Sequence, residues 1–279
     1  MPKLLRTISK EHDQIEQIVK LENISLLVSD NRYGCWSATA PSVLITHQIN
    51  ILMSWPWKWL EPFIQLGNHK QIRKFTECWV PDFPGGITGK LTSTREIDVK
   101  FIGMVSRFIK MDIPLKYDVL ALISGPEPQR TLFEEKITKQ LSTTRLNFFV
   151  VKGKPGSENL SVNEVDHLNA QELNQVIESS AIVISRSGYT TIMDLCKLGK
   201  KAIFIPTPGQ TEQEYLAEEL ERKGITFYQA QADFDINYAL KQSENYKGFA
   251  GYQYTSNLLA NAIDNLLYIL PSPISNANT

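Results

Sequence analysis

The sequence predicts a two-domain α/β protein built on parallel β-sheets. Short apolar runs of strand length alternate with amphipathic stretches, most regularly from residue 116 onward, and this alternation is typical of parallel strands joined by helices. The chain has 279 residues, which is about twice the usual length of one domain. We therefore expect two domains, 1–108 and 109–279, with the boundary in the polar segment 108–115.

The N-terminal domain is predicted to open with a helix over the first 22 residues, where apolar side chains share one face. The strands predicted after it are 24–28, 42–45, 77–80 and 99–102. A doubly wound domain normally opens with a strand and a Gly-rich turn, and here the helix comes first. We therefore expect this domain to be incomplete and to lack its first strand and Gly-rich loop.

The C-terminal domain is predicted as a regular series of strands and helices. The strands are 118–123, 147–151, 181–184 and 202–205, and the helices are 132–141, 171–179, 190–198 and 212–223. Gly125, Gly188 and Gly224 stand at the turns where such units need glycine. This order predicts a Rossmann-like, doubly wound sheet.

Composition argues against several classes of protein. Lys and Arg total 29 against 30 Asp and Glu, so no positive field favours a nucleic-acid partner. The three cysteines form no CxxC pair, which fits a reducing cytoplasm and excludes a disulfide scaffold and a zinc ribbon. No uncharged apolar run approaches the roughly 18 residues of a spanning helix. We expect a cytoplasmic protein that meets a membrane, if at all, peripherally and from its inner face.

The strongest candidate for a ligand site lies between a predicted strand and a predicted helix. It consists of Ser185, Arg186, Ser187, Gly188, Tyr189, Thr190 and Thr191. Anions bind at helix N-termini beyond the carboxyl ends of parallel strands, and three hydroxyls of this segment can donate to phosphate oxygens. Asp194, one turn further, can accept from ribose hydroxyls. The alternative is a plain serine helix cap with Gly188 for tight packing.

The turn after strand 202–205 is dense in amides and acids, with Gln210, Gln213 and Glu214. Together the two turns contain Ser-Arg-Ser-Gly, an acid six residues after the glycine, and then Pro-x-Pro-Gly-Gln-x-x-Gln-x-x-x-Ala. This pattern closely resembles the C-terminal domain of family 28 glycosyltransferases, which have the GT-B fold of two Rossmann-like domains. The resemblance covers about residues 119–267 and is specific in its 185–217 core.

The resemblance implies an enzyme that moves a sugar from a UDP-sugar, of the UDP-N-acetylhexosamine kind, with inversion and without metal or other cofactor. The C-terminal domain would hold this donor and the N-terminal domain an unidentified, lipid-linked or other acceptor. Ser187, Gly188 and Thr191 match the turn that binds the diphosphate. The neighbouring positions expected in the same donor site are Ser185, Arg186, Thr190 and Gln210.

Two further positions bear on which donor is bound. Asp194 matches a ribose-binding Glu of the family and is shorter by one methylene. Gln213 matches a Gln that recognises the donor sugar, and Glu214 stands in place of a second Gln. Both departures leave the identity of the sugar open.

The other donor loop of the family is Gly-rich, and most of its glycines are absent from the corresponding loop here. Gly125 remains, and Arg130 is expected near the diphosphate, with a surface arginine as the alternative. A capping box over 131–134 predicts that the following helix starts late. His167 and Leu168 are expected beside uracil, with a solvated loop histidine as the alternative.

Asp30 and His47 each follow a strand of the N-terminal domain and are the candidates for the catalytic base. An inverting transferase needs a base for the acceptor hydroxyl, and a carboxylate or a histidine near its ordinary pKa can serve. The stretch 41–48 resembles a family strand that ends in His-Glu-Gln-Asn, with His47 at the acidic position. The alternatives are an orienting hydrogen bond for His47 and a turn cap for Asp30.

Three tryptophans lie in the segment 53–60, next to Lys58. Indoles beside a lysine suit a membrane interface or a lipid-linked acceptor, and the alternative is packing of the loop onto its own domain. His12 and His69 are expected to be solvated. The segment 233–235 spells Asp-x-Asp, which we interpret as a helix cap rather than a metal site, and no metal is expected.

The absent Gly-rich loop leaves other functions open, because in the family this loop contacts the acceptor. One is a nucleotide-sugar-binding chain without catalysis, or a truncated chain that turns over poorly and needs a missing segment or partner. Another is a UDP-sugar epimerase of similar architecture, which would need no acceptor.

Overall fold

The structure is a computed structural model that describes residues 2–154, 163–252 and 257–269. The chain divides into two compact units, Met1–Gly103 with Thr255–Thr279, and Met104–Tyr254. The last helix, α8 (Leu258–Ile269), therefore packs with the first unit although it lies at the end of the chain. The predicted division into 1–108 and 109–279 stays a prediction.

The first unit contains a parallel sheet of four strands in the order β1-β2-β3-β4. Its elements are α1 (Pro2–Leu21), β1 (Leu27–Asp30), β2 (Ser42–Ile45), α2 (Glu61–Ile72), β3 (Glu77–Val80) and β4 (Lys100–Phe101), with short 3-10 turns at Trp57–Leu60 and Gly89–Leu91. The strands predicted at 42–45 and 77–80 have those bounds. The strand predicted at 24–28 begins later, and α2 was not predicted.

Both faces of this sheet are covered. Val43 and Leu44 are neighbours in β2, point to opposite faces and are fully buried. Leu44 packs with Ile72 at the end of α2, while Val43 packs with Ala262 and other residues of α8. The α8 helix therefore completes the core of the first unit.

Two histidines of the first unit are held inside it. His69 is buried, and its Nδ1 lies 3.0 Å from Glu96 Oε2. The ring of His12 stacks on that of Trp36 at 3.8 Å, and its Nδ1 lies 3.1 Å from the Trp36 carbonyl oxygen. The expectation of a solvated histidine was wrong for His69, whereas His12 is half-buried and stacked. The partners of both come from distant parts of the chain.

The second unit contains a six-stranded sheet in the order β10-β9-β8-β5-β6-β7, with parallel pairing throughout. The strands are β5 (Tyr117–Leu122), β6 (Phe148–Val151), β7 (Glu164–Val165), β8 (Ser180–Ser185), β9 (Lys201–Phe204) and β10 (Phe227–Tyr228). The helices are α3 (Gln129–Leu141), α4 (Ala170–Glu178), α5 (Tyr189–Leu198), α6 (Thr211–Arg222) and α7 (Ile236–Ser243). The predicted parallel α/β class is confirmed.

The register of the central strands determines where a ligand can bind. Val119 and Leu120 of β5 are both fully buried, so both faces of the sheet are covered and only its edges are open. Leu122 of β5 pairs with Ser185 of β8, and Ser185 pairs with Phe204 of β9. The three strands therefore end level with one another, and the turns that follow them meet at one edge of the sheet.

No helix within the described ranges is both long and apolar enough to cross a bilayer.

Candidate functional site

Arg186 forms the centre of the candidate site, in the turn after β8. Its side chain is only 1% exposed and lies over the Phe133 ring of α3, 4.0 Å from the ring centroid. Its guanidinium donates four hydrogen bonds, to the carbonyl oxygens of Ile205 (3.0 Å), Pro206 (3.1 Å) and Gln129 (2.9 Å) and to Gln231 Oε1 (2.5 Å). These bonds join the turns after β8 and β9 to the start of α3.

All four partners of Arg186 are uncharged, and none of the ion pairs within the described residues includes it. Removal from water disfavours the charged form and lowers the pKa of Arg186 to about 10, so the group is still a cation at neutral pH. A buried cation without an anion is costly. The site therefore favours an anionic ligand.

Two unpaired polar atoms lie beside the turn after β5. Arg186 Nε and Thr207 Oγ1 are buried and have no hydrogen-bond partner among the residues that the structure describes. A β-carbon placed on Gly125 would lie 3.6 Å from Thr207 Oγ1 and 4.0 Å from Arg186 Nε. Gly125 has a φ of +115°, which L side chains rarely adopt, so this turn keeps the approach to both atoms free of a side chain. Both atoms carry a proton that they can donate.

The N-terminus of α5 adds a fixed dipole to the same strand end. Its N-cap is Gly188, with extended backbone and no side-chain cap. Thr191 is half-buried and Thr190 is exposed in the first turn. A helix start without a serine or aspartate cap presents its N–H groups and the positive end of its dipole to a ligand. The alternative of a plain serine cap is wrong, because no serine hydroxyl caps this helix.

The serine hydroxyls next to Arg186 have structural roles. Ser187 is fully buried and donates to the carbonyl oxygen of Gln213 at 2.7 Å, which links the turn to α6. Ser185 donates to the Arg186 carbonyl oxygen at 3.2 Å. A hydroxyl has one proton, and in this arrangement the Ser187 proton is used on Gln213, so the role of Ser187 in diphosphate binding stays a prediction.

Hydrogen bonds hold three side chains of the predicted sugar-recognition turn, which follows β9. Gln213 Oε1 accepts from the Thr207 N–H at 2.9 Å, and its Nε2 donates to Gln210 Oε1 at 2.5 Å. Glu214 Oε1 accepts from the Gly209 N–H at 2.9 Å. These bonds leave one N–H of Gln213 and one carboxylate oxygen of Glu214 for a ligand, and their roles in sugar recognition stay predictions.

Arg130 is buried and committed to other partners. It donates to Glu127 Oε1 (2.7 Å), Glu134 Oε2 (2.8 Å) and the Lys152 carbonyl oxygen (3.0 Å). The alternative of a surface arginine is therefore wrong, and contact with a diphosphate stays a prediction. The expected late helix start is also wrong: α3 begins at Gln129, so the pattern over 131–134 lies inside it.

The remaining sequence candidates occupy the ends of their strands. Asp30 is the last residue of β1 and is exposed, and His47 follows β2 by two residues and is half-buried. His167 is exposed and Leu168 half-buried, between β7 and the start of α4. The roles of all four in catalysis or base binding stay predictions.

Asp235 confirms the cap interpretation of the Asp-x-Asp segment. It is the N-cap of α7, and its Oδ1 accepts from the Tyr238 N–H at 2.8 Å. Within the described part of the chain, no three metal-ligating side chains lie together.

A second surface lies wholly in the first unit. Trp55 is 87% exposed and Trp59 is 65% exposed, and the alternative that this loop packs onto its own domain is therefore wrong. We call the following set the tryptophan surface: Trp55, Trp57, Trp59, Phe63 and Leu66, all exposed. An open cleft of about 410 Å³ adjoins it along α2, and its polar lining includes Asn50, Gln65, Lys90 and Ser93.

Sequence reasoning missed four residues of these sites. They are Ser106, which donates to Asp194 at 2.5 Å, and Gln129, Thr207 and Gln231 around Arg186. Ser106 is 88 residues from Asp194 in sequence, and Gln231 is 45 from Arg186. No local pattern marks such partners. Thr207 lies inside the recognised motif, at one of its variable positions.

Comparison with solved structures identifies the fold. MurG from Acinetobacter baumannii superposes with a TM-score of 0.59 at 13% identity, over 94% of this chain and 78% of that one. At this identity the likeness is one of fold, and the expected GT-B fold is confirmed. The absence of a first strand from the N-terminal domain stays a prediction.

Two curated relatives carry the same name, UDP-N-acetylglucosamine--N-acetylmuramyl-(pentapeptide) pyrophosphoryl-undecaprenol N-acetylglucosamine transferase. The one from a Sulfurihydrogenibium species is 29% identical over 120 residues, 40% of this chain and 33% of its own length. The one from Buchnera aphidicola is 24% identical over 243 residues, 65% of this chain and 68% of its own length. The match to the first relative thus spans about a third of that protein. Residues 129–245, which lie within the second unit, match the family model described as glycosyltransferase family 28 C-terminal domain.

Proposed function

We propose that the chain is a glycosyltransferase that takes a sugar from a UDP-sugar and transfers it to a hydroxyl acceptor. The observation that carries this proposal is the buried, unpaired Nε–H of Arg186, which lies with the unpaired Thr207 hydroxyl beside Gly125. A diphosphate supplies the negative charge and acceptor oxygens that both groups lack. The relatives' printed name, which includes UDP-N-acetylglucosamine, supports a UDP-N-acetylhexosamine donor.

The chemistry follows from charge at the leaving group. As the bond between the anomeric carbon and the diphosphate breaks, negative charge grows on the diphosphate oxygens. Arg186 and the N-terminus of α5 are positioned to stabilise it by fixed positive charge and dipole. Arg186 is a cation at the strand end where we propose that the diphosphate binds, and this charge supports our proposal that transfer proceeds without a metal.

Inversion requires attack from the face opposite the diphosphate. The acceptor oxygen forms the new bond to the anomeric carbon, the electron pair of the broken bond leaves on UDP, and the acceptor proton passes to a base. His47 and Asp30 are the proposed candidates for this base, because both follow parallel strands of the first unit at the end where such sheets bind ligands.

Binding and transfer are tested separately. Calorimetry with UDP and UDP-N-acetylglucosamine, in EDTA and then with Mg²⁺, is expected to give binding in both conditions. No binding in either condition would refute the donor site, and binding only with Mg²⁺ would refute the metal-free proposal. Product analysis by NMR is expected to show inversion at the anomeric carbon, and retention would overturn that step.

The rival functions make different products. Loss of UDP-sugar with formation of an isomeric UDP-sugar, in the absence of any acceptor, would identify an epimerase. Binding with neither UDP release nor isomer in the presence of a lipid-diphosphate sugar acceptor would support a binding chain without catalysis. The weak turnover expected from the sequence is tested by the same assay.

We further propose that the acceptor side of the protein contacts a membrane through the tryptophan surface. Indoles favour the interface between headgroups and hydrocarbon, and exposed apolar patches of this kind mark interaction sites. Lys58 lies among the tryptophans, and Lys70 follows Leu66 by one turn of α2; both are exposed and suit anionic headgroups. The adjoining polar cleft would then take the head of a lipid-linked acceptor.

Vesicle flotation tests the membrane proposal. The chain is expected to float with phosphatidylcholine vesicles that contain phosphatidylglycerol and to float less with pure phosphatidylcholine. Trp55→Ser with Trp59→Ser is expected to abolish flotation. Tyr268→Ser is the matched control, because this aromatic side chain is 92% exposed on α8, outside the tryptophan surface. Equal flotation of the double variant and the control would refute the proposal.

A further inference from the structure

Asp194 is held by a residue from the start of the second unit. Its carboxylate lies in α5 and is buried, and Oδ1 accepts from Ser106 Oγ at 2.5 Å. Ser106 Oγ in turn accepts from the Phe108 N–H at 3.1 Å. The hydroxyl thus uses its single proton on Asp194 and a lone pair on Phe108. Both contacts together fix the hydroxyl, and the hydroxyl fixes one oxygen of the carboxylate.

The second carboxylate oxygen of Asp194 is available. Oδ2 accepts no hydrogen bond from the residues that the structure describes. An ionised carboxylate offers acceptors only, so this oxygen can accept a hydrogen bond from a ligand. A ribose supplies neighbouring hydroxyls that can donate such a bond.

We infer that Ser106 is a positioning residue for nucleotide recognition, which locks Asp194 so that Oδ2 accepts from a ribose hydroxyl. This inference rests on the proposed function, because it needs the UDP moiety in the donor site. It also explains how Asp can stand where family 28 glycosyltransferases have Glu. Ser106 Oγ lies 2.5 Å from Asp194 Oδ1, and in this proposal the Ser–Asp pair takes the place of one Glu.

Substitutions of Ser106 and Asp194 test the inference. Calorimetry in EDTA compares UDP with 2′-deoxy-UDP and 3′-deoxy-UDP on the full chain. The unchanged protein is expected to bind UDP about tenfold more tightly than at least one deoxy analogue, the usual scale of one hydrogen bond to a charged group. Ser106→Ala is expected to lose most of this ratio, mainly through weaker UDP binding, while Ser106→Thr keeps the hydroxyl and the ratio.

Asp194→Glu alone is expected to bind UDP weakly, because Ser106 Oγ already lies 2.5 Å from the shorter carboxylate and a longer side chain would crowd it. Asp194→Glu combined with Ser106→Ala is expected to restore both the affinity and the ratio. Ser180→Ala is the control for general loss of packing: Ser180 is fully buried in the same unit and donates to the Val176 carbonyl oxygen at 2.6 Å. This control should leave the ratio unchanged.

Each outcome separates this inference from the proposed function. No UDP binding by the unchanged protein would refute the donor site itself. UDP binding with a clear ribose preference that Ser106→Ala leaves intact would refute only the positioning role of Ser106. UDP binding with no preference over either deoxy analogue would refute the contact between Asp194 and ribose.

Discussion

Thr207→Val separates the ligand role of the Thr207 hydroxyl from its role in stability. Thr207 is 2% exposed, and within the described ranges its Oγ1 has no hydrogen-bond partner. A buried hydroxyl without a partner costs about 1–3 kcal/mol. Replacement by valine, which has nearly the same shape, should therefore raise the free energy of unfolding by up to this amount. The melting temperature should rise by about 2–4 °C for each kcal/mol.

The same change should weaken UDP binding. If Oγ1 donates to a diphosphate oxygen, its loss removes a hydrogen bond to a charged group, worth about 1.5–3 kcal/mol, or about 10- to 150-fold in affinity. The expected result is thus a protein that is more stable without ligand and binds UDP more weakly. Thermal unfolding without UDP and calorimetry with UDP measure the two effects.

Thr226→Val is the matched control. Thr226 Oγ1 is also buried and unpaired, but Thr226 precedes β10 and so lies at the amino end of its strand, opposite the candidate site. This variant should gain similar stability and keep the UDP affinity. If Thr207→Val gains stability and keeps its UDP affinity within about twofold, no ligand group meets Thr207 and the reasoning fails.

Two further results are expected for Asp194. Asp194→Ala should lose about 1–3 kcal/mol of UDP binding, measured by calorimetry against Ser180→Ala, because the ribose loses a charged acceptor; an unchanged affinity would contradict this. Burial raises the pKa of Asp194 above its ordinary value, opposed by the Ser106 hydrogen bond and the Arg107 charge. UDP affinity should therefore fall on acidification at a higher pH than for an exposed aspartate, and at a still higher pH in Ser106→Ala; coincident pH profiles would count against it.

The edge of the sheet that holds the candidate site could be predicted from the sequence. Alternating strands and helices imply parallel pairing, and parallel pairing brings the ends of strands such as β8 and β9 together. The segment Ser-Arg-Ser-Gly then lies at that edge whatever the details of packing. Local patterns were sufficient here because the relevant residues are adjacent in the chain.

The chemistry of the individual side chains could not be predicted in the same way. Ser187 looked like a phosphate ligand, and its proton is instead used on Gln213, a partner 26 residues away. Residues 131–134 have the sequence of a capping box, yet they lie inside α3, where Glu134 accepts a hydrogen bond from Arg130. The acceptor that a donor finds depends on distances in the folded protein. The spacing of residues in the sequence does not give these distances.

The tryptophan surface and α2 were difficult for a related reason. Prediction of a helix relies on one apolar face turned toward a core, whereas Phe63 and Leu66 of α2 are exposed. A helix that also presents apolar side chains to the outside loses the usual periodic signal. The exposed apolar side chains of α2 made the helix difficult to predict, and the same side chains suggest that it binds a partner.

The uncompensated charge of Arg186 connects the stability of the second unit to its proposed ligand. A side chain at Gly125 would approach Arg186 Nε and is disfavoured by the φ of +115° at this position. It would also occupy the position that we assign to the diphosphate. The structure instead surrounds Arg186 with neutral carbonyl and amide oxygens and leaves Nε unpaired. A ligand that supplies the charge binds only the folded state, so its binding free energy adds to the stability of the fold.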